Sequence, residues 1–344
     1  MRKSIVLHLA FLSGFAALPL HTTAAQTTAP QTADGDEPTQ SEREWYRSIE
    51  QDLVAEKFGE LDRMADDLRH SRERFSGGQW KLHAFYQGLD KPHVTDKDDV
   101  DHLEHLRHWM TQRPESITAR VALATSLTRW AWVARGNGTA DKVTEEGWTL
   151  FNQRIAEAKS VLDNSRNMHV MCPQWFSEMM TVGLAQGWSQ RQVEENFQRG
   201  IQFEPEYYYL YRQYANYLLP KWYGKQSDAA TFAATSADRL GGDRGDILYY
   251  QISTVLVRRG NGSFRVDGID WPRIQRGALL LNQQYGHVHS LHNELAFMAY
   301  KFNDPETAKK YFALIGDNWA RGVWKDRDFF DRIRDWSTDH TQWP

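Results

Sequence analysis

The sequence Val-Ala-Arg-Gly-Asn-Gly-Thr at residues 133–139 returns as Val-Arg-Arg-Gly-Asn-Gly-Ser at residues 257–263. Each copy is followed by a tryptophan with an apolar residue three positions later, at Trp148 and at Trp271. The order of these features is the same in both copies, and their spacing changes by only a few residues. A fixed order at nearly constant spacing indicates a repeat architecture.

Each copy marks the end of a predicted helix. Between residues 115 and 134, apolar residues recur at steps of three or four, which is typical of an amphipathic helix, and Pro114 precedes it. Gly136 ends this helix, because a glycine just past the last turn readily adopts the left-handed conformation. Gly260 follows the predicted helix 247–257 in the same way.

The same helical period continues through most of the chain, and strand-like alternation is almost absent. Short connections place consecutive helices antiparallel. Ala299, Ala308 and Phe312 resemble the pattern of tetratricopeptide repeats, in which small residues let two helices approach closely. The sequence therefore predicts an all-α fold of stacked antiparallel helical hairpins, a tetratricopeptide-like α-solenoid. We expect one domain, residues 42–344, with related blocks at residues 115–204 and 243–316.

Several segments resemble a bacterial family of exported helical proteins that is classed as a domain of unknown function. In that family the stretch around Trp222 tends to read Pro-Arg-Trp-Gly-Gly, so Lys221 and Tyr223 depart from it. The resemblance implies a helical fold and export, and it implies no activity. The segments that carry it are Phe-Ser-Gly-Gly-Gln-Trp at 75–80, Phe-Tyr-Gln-Gly-Leu at 85–89, Trp-Val-Ala-Arg-Gly at 132–136, Leu-Leu-Pro-Lys-Trp-Tyr-Gly at 218–224, and residues 293–324.

The N-terminal residues have the pattern of a cleaved signal peptide. Met-Arg-Lys at 1–3 is positively charged, residues 5–18 form a short apolar run, and Thr-Ala-Ala at 23–25 supplies small residues for cleavage. We therefore predict a signal peptide over residues 1–25, a disordered linker over residues 26–41, and a periplasmic or secreted protein. The apolar run is shorter than the roughly 20 residues that span a bilayer, and no membrane anchor is expected after cleavage.

Composition excludes several classes of function. The chain has one cysteine, Cys172, so it has no intramolecular disulfide. Its 41 basic and 45 acidic residues give a net charge of −4 without a basic run, which makes nucleic acid an improbable partner. Phosphate-binding loops, dinucleotide fingerprints and nucleophile elbows are absent from the sequence, and we predict no cofactor and no catalytic residue.

Two histidine clusters are candidate metal ligands. His102, His105 and His108 lie at steps of three on one predicted helix, where at most two of them could share a metal ion. His287, His289 and His292 lie in a predicted turn, where the spacing is more flexible. A metal-assisted hydrolase is therefore the alternative function, although a solvated helix face explains the first cluster without a metal.

Aromatic residues carry the remaining functional signal. Six tyrosines crowd residues 207–217, so we expect some of them to face outward and to recognise a partner. We predict an exported helical-repeat protein that binds a peptide, protein or glycan on a concave aromatic face without catalysis. A scaffold for self-assembly is a third possibility. The candidate residues of the binding face are Tyr207, Tyr208, Tyr211 and Trp222.

Overall fold

The computed structural model describes residues 39–90, 95–259 and 268–339, and this part of the chain forms fifteen α-helices and no β-strand. The helices are α1 (Gln40–Val54), α2 (Phe58–Ser71), α3 (Lys81–Leu89), α4 (Asp96–Gln112), α5 (Ile117–Arg135), α6 (Glu145–Ser165), α7 (Pro173–Gln186), α8 (Gln190–Phe203), α9 (Tyr208–Tyr217), α10 (Asp228–Leu240), α11 (Gly242–Arg259), α12 (Trp271–Tyr285), α13 (His289–Lys301), α14 (Pro305–Ile315) and α15 (Arg327–Trp336).

Consecutive helices pack as hairpins, and alternate helices stack on one another. The pairs α5–α6, α7–α8, α10–α11, α11–α12 and α13–α14 are in extensive contact, and α5, α7, α9 and α11 form a continuous row. A single hairpin cannot bury its apolar face, whereas stacked neighbours can. The predicted all-α fold of stacked helical hairpins is confirmed. The predicted signal peptide lies outside the described residues, as does most of the predicted linker.

The first copy of the repeated segment ends α5 as predicted. The Ser116 side chain accepts a hydrogen bond from the Ala119 amide (2.9 Å) at the start of the helix, and Gly136 ends it with φ 72°. Arg135 donates to the carbonyl oxygens of Gly136 and Gly138, both at 3.1 Å, so its side chain stabilises the turn that follows the helix. The glycines of the second copy, residues 260–262, lie outside the described residues.

The turn at residues 75–79, between α2 and α3, packs against α12 and the turn before α13, which lie in the second predicted block (residues 243–316). Gly78 lies against Leu281 and Tyr285 of α12, and Gly77 lies against Val288, which precedes α13. This contact brings the beginning of α1 close to α11 and α13, and a cleft remains between them.

None of the helices in the described ranges is both long enough and apolar enough to cross a membrane.

Candidate functional site

The tyrosine-rich helix α9 lies inside the protein. Tyr207, Tyr208 and Tyr211 are only 0%, 5% and 7% exposed. None of the three is an exposed residue, because α9 is packed against α7, α8, α10 and α11. A helix that is packed on several sides buries its tyrosine rings, even though their hydroxyl groups could bind a ligand.

The hydroxyl groups of these tyrosines have internal partners. Tyr207 Oη donates to Gln174 Oε1 at 2.6 Å, and Tyr211 Oη donates to the Pro205 carbonyl oxygen at 3.1 Å. Tyr208 Oη donates to the hydroxyl of Tyr209 at 2.7 Å. These bonds satisfy polar groups that would otherwise be buried at a cost.

Trp222, the fourth residue of the predicted face, lies half-buried beside Trp132. The two rings meet edge to face with centroids 5.8 Å apart. Within the described ranges the Trp222 indole nitrogen is buried without a hydrogen-bond partner. Trp222 therefore packs between helices and lies apart from the tyrosines of α9 that line the groove described next.

One side of α9 does line an open groove. This aromatic groove has a volume of about 340 Å³ and lies between α8, α9 and α10. Its aromatic wall consists of Phe197, Tyr211, Tyr214 and Phe232, and Glu194 and Arg239 lie exposed at its rim. Tyr211 thus belongs to this groove, whereas Tyr208 lines a separate, smaller pocket of about 160 Å³ beside α11 and α12.

The rings of the aromatic groove pack against one another. Phe197 and Tyr214 are stacked with centroids 4.8 Å apart, and Phe232 meets both edge to face at 5.4 and 5.0 Å. Burial raises the pKa of Tyr214 to about 12, and burial also raises the pKa of Tyr211. Both hydroxyl groups therefore remain protonated near neutral pH, and the wall is uncharged.

A second cleft lies where α1 and the turn at 75–79 meet α11 and α13. This polar cleft has a volume of about 380 Å³ and lies between the start of α1, the turn at 75–79, α11 and the start of α13. Its polar and charged lining includes Ser41, Glu42, Gln79, Arg212, Gln251, Thr254, Arg258, His287, His289 and Glu294.

Arg258 and Glu294 form an ion pair in the wall of the polar cleft. Arg258 Nε lies 3.0 Å from Glu294 Oε2, and its Nη2 donates to the other carboxylate oxygen. Arg258 Nη1 also donates to the Gly322 carbonyl oxygen at 3.0 Å. Two parallel bonds fix the orientation of both side chains.

The second histidine cluster lies at the edge of the polar cleft. His287 Nδ1 is 3.1 Å from Asn282 Oδ1, and His289 Nε2 contacts the Asn318 carbonyl oxygen. The rings of His292 and His287 are tilted by 44° to each other, with centroids 4.6 Å apart. Burial lowers the pKa of His292, and the neighbouring His287 and His289 lower it further.

The first histidine cluster lies along α4, where His105 and His108 share the Glu56 carboxylate and His102 contacts Ser126. His102 Nε2 lies 3.3 Å from Ser126 Oγ, and the Nδ1 atoms of His105 and His108 lie 3.7 and 2.8 Å from Glu56 Oε1. Across residues 39–90, 95–259 and 268–339, no group of three or more His, Cys, Asp or Glu residues is placed to hold a metal ion.

Residues 47–192 match the family model described as Domain of unknown function (DUF4034). The predicted resemblance to a family classed as a domain of unknown function is confirmed over this range. It runs from within α1 to the first residues of α8, so it includes the turn at 75–79 and excludes the aromatic groove. No match is found among curated proteins, and none is found among solved structures.

The DUF4034 range contains a buried polar cluster that the sequence did not reveal. Gln174 Nε2 donates to Glu178 Oε1 at 2.9 Å, and Gln174 Oε1 lies 3.1 Å from His83 Nδ1. Burial raises the pKa of Glu178 to about 7, and the Asp90 carboxylate raises it further. Residue spacing could not predict the whole cluster, because His83 lies in α3, far from Gln174 and Glu178 in the sequence.

Proposed function

We propose that this chain is a helical-repeat binding protein that holds a peptide segment of a partner protein in the aromatic groove, without catalysing a reaction. The observation that carries the proposal is the groove between α8, α9 and α10, whose wall consists of four packed aromatic rings. The walls of ligand sites are predominantly apolar and aromatic, with a few polar groups that fix orientation.

The groove offers both a source of affinity and a source of orientation. An apolar side chain that enters it would be buried against Phe197, Tyr214 and Phe232, which contributes about 1.5–3 kcal/mol for a fully buried Leu or Phe. The exposed Glu194 and Arg239 at the rim carry opposite charges. They favour a peptide with charged residues of both signs beside its apolar residue. Such complementary charges determine the direction in which the peptide binds and its association rate more than its affinity.

Two threonines of α10 provide a matched test. Thr235 and Thr231 are both exposed and lie one turn apart, and only Thr235 lines the aromatic groove. Peptides would be selected from a random displayed library on the wild-type protein, and their affinities would be measured by fluorescence polarisation. Thr235→Trp should weaken binding of the selected peptides at least tenfold, because the indole occupies the groove, whereas Thr231→Trp should leave it within twofold. Equal binding to both variants, or a library without enriched peptides, would refute the proposal.

We also propose that the partner is met outside the cytoplasm, after removal of residues 1–25. The charged start, apolar run and small residues at 23–25 support this proposal. N-terminal sequencing of the protein recovered from the periplasm or medium should begin at Gln26. A cytoplasmic protein that retains Met1 would contradict it.

A further inference from the structure

The wall of the polar cleft contains polar side chains that are buried almost completely. Gln79, Gln251, Thr254 and Ser290 are 8%, 5%, 6% and 4% exposed, and all four line the cleft. Polar side chains at such depth are normally found only where hydrogen-bond partners compensate their lost hydration. Gln79 has such a partner, because its Nε2 donates to Gln87 Oε1 at 3.0 Å, and Thr254 Oγ1 donates to the Gln251 carbonyl oxygen at 2.8 Å.

Gln251 is different. Its backbone carbonyl accepts the bond from Thr254, but no side chain or backbone group in the described part of the chain is hydrogen-bonded to its carboxamide. A carboxamide provides two N–H donors and an oxygen acceptor. The buried Gln251 carboxamide thus lines the cleft with two hydrogen-bond donors and one acceptor that have no partner in the described part of the chain. A ligand that both donates and accepts hydrogen bonds would satisfy these groups.

The charged groups of the cleft balance one another. Glu294 is held by Arg258, and Glu42 Oε2 accepts a hydrogen bond from the Thr39 amide at 2.6 Å. The Arg212 guanidinium carbon lies 5.7 Å from the centroid of the Tyr208 ring. Two carboxylates and two guanidinium groups therefore line the cleft, and its chemistry favours a ligand without net charge.

We propose that the polar cleft binds a neutral polyhydroxylated small molecule, a sugar of one or two rings. Sugar hydroxyls both donate and accept hydrogen bonds, which matches the Gln251 carboxamide and the hydroxyl groups of Ser41 and Ser290. Phe75 and Leu281 supply apolar surface for the C–H face of a sugar ring. The volume of about 380 Å³ lies at the lower end of the range for small-molecule sites. This site is separate from the aromatic groove, and its occupancy does not depend on the peptide proposal.

Binding would be measured by saturation-transfer NMR and calorimetry with defined probes. The neutral probes are glucose, galactose, mannose, N-acetylglucosamine, maltose and cellobiose. The comparison probes are glucuronic acid, glucose 6-phosphate and the dipeptide Ala-Ala. We expect at least one neutral sugar to bind, and we expect it to bind more tightly than its anionic counterpart.

Two variants with matched controls locate the site. Gln251→Leu removes the carboxamide while keeping the side-chain volume similar, and it should weaken sugar binding at least tenfold. Its control is Gln283→Leu, at an exposed position of α12 outside the cleft. Ser41→Trp fills the cleft from an exposed position on the first turn of α1 and should abolish binding, whereas Arg47→Trp, exposed on the same helix, should not.

The outcomes distinguish this proposal from the peptide proposal. Thr235→Trp should leave sugar affinity within twofold of wild type even where it abolishes peptide binding. Should Gln251→Leu fail to fold by circular dichroism, the exposed Ser41→Trp substitution decides the test alone. The proposal is overturned if none of the neutral sugars binds, if the anionic probes or the dipeptide bind more tightly, or if Ser41→Trp binds sugar as wild type does.

Discussion

The backbone amide of Gly77 donates a hydrogen bond to the carbonyl oxygen of Gly286, with 3.1 Å between nitrogen and oxygen. This bond ties the turn at 75–79 to the turn that precedes α13, at the base of the polar cleft. Gly77 has φ 76°, and a Cβ atom at this position would lie 2.8 Å from Cγ2 of Val288. Both the backbone conformation and the close approach therefore require glycine.

Gly77→Ala should lower the free energy of unfolding by about 3 kcal/mol. The left-handed conformation costs a residue with a Cβ about 1–2 kcal/mol, and overpacking against Val288 adds about 1–3 kcal/mol. Urea denaturation followed by circular dichroism measures the change. Gly59→Ala, in helix α2 with no atom within 4 Å of its new Cβ, should instead raise the stability by about 0.5–1 kcal/mol. A similar loss in both variants would show that the contact with Val288 is unimportant.

The helices whose signals are local were predictable from the sequence. For α5, residues 115–134 were expected and Ile117–Arg135 is observed, because Ser116 and Gly136 specify the two ends. Helix α3 was missed. Its apolar residues Leu82, Phe85, Tyr86 and Leu89 do recur at helical steps of three and four, but the helix has only nine residues and lacks a side-chain N-cap, so its local signal is short.

The two clefts were not predictable, because they depend on which helices meet. Tyr207 and Tyr211 are close in sequence, yet one lies in the core and the other lines a groove that α8 and α10 complete. Gln79 and Gln251 reach one cleft from distant parts of the chain. In the sequence, Glu178 and Glu294 recur at corresponding places near the start of two predicted helices, where a carboxylate is expected to stabilise the helix N-terminus. Glu178 and Glu294 instead lie past the first turn and contact Gln174 and Arg258.

Glu178 should make the protein less stable as the pH rises. The carboxyl has an ordinary pKa of 4.5 and a pKa of about 7 in the folded protein, so the folded state binds its proton more tightly. The stabilisation by that proton is complete below pH 4.5 and is lost as the pH rises to 7. Glu178→Gln should remove this dependence. The stability of the variant relative to wild type should increase by about 3 kcal/mol between pH 4 and pH 8.

Urea denaturation at pH 4, 6 and 8 measures this difference. Glu195→Gln is the control, since Glu195 is an exposed residue of α8 that pairs with the exposed Arg191. Surface pairs of this kind contribute about 0–1 kcal/mol, so the control should follow the pH profile of wild type. Parallel profiles for wild type and Glu178→Gln would mean that Glu178 is ionised at no cost in the folded protein.

Removal of one partner of the ion pair of Arg258 and Glu294 should lower the free energy of unfolding. The Glu294 side chain is 5% exposed, so Glu294→Leu leaves a largely buried guanidinium without its carboxylate and should cost about 3 kcal/mol. The double variant Arg258→Met with Glu294→Leu should recover most of this loss, because two apolar side chains of similar volume can replace a buried pair. A double variant that loses the sum of the single effects would argue against a coupled pair.

Tyr207 should act on stability and leave peptide binding unchanged. Its hydroxyl donates to Gln174 inside the core, and Tyr207→Phe removes this bond at a cost of about 1 kcal/mol while keeping the ring packed. Phe232→Ala, in the half-buried wall of the aromatic groove, should instead weaken binding of the selected peptides at least tenfold. Chemical denaturation and fluorescence polarisation on both variants separate the two roles. A loss of peptide affinity in Tyr207→Phe at unchanged stability would contradict this prediction and would indicate that the peptide binds near Tyr207, at the buried end of α9.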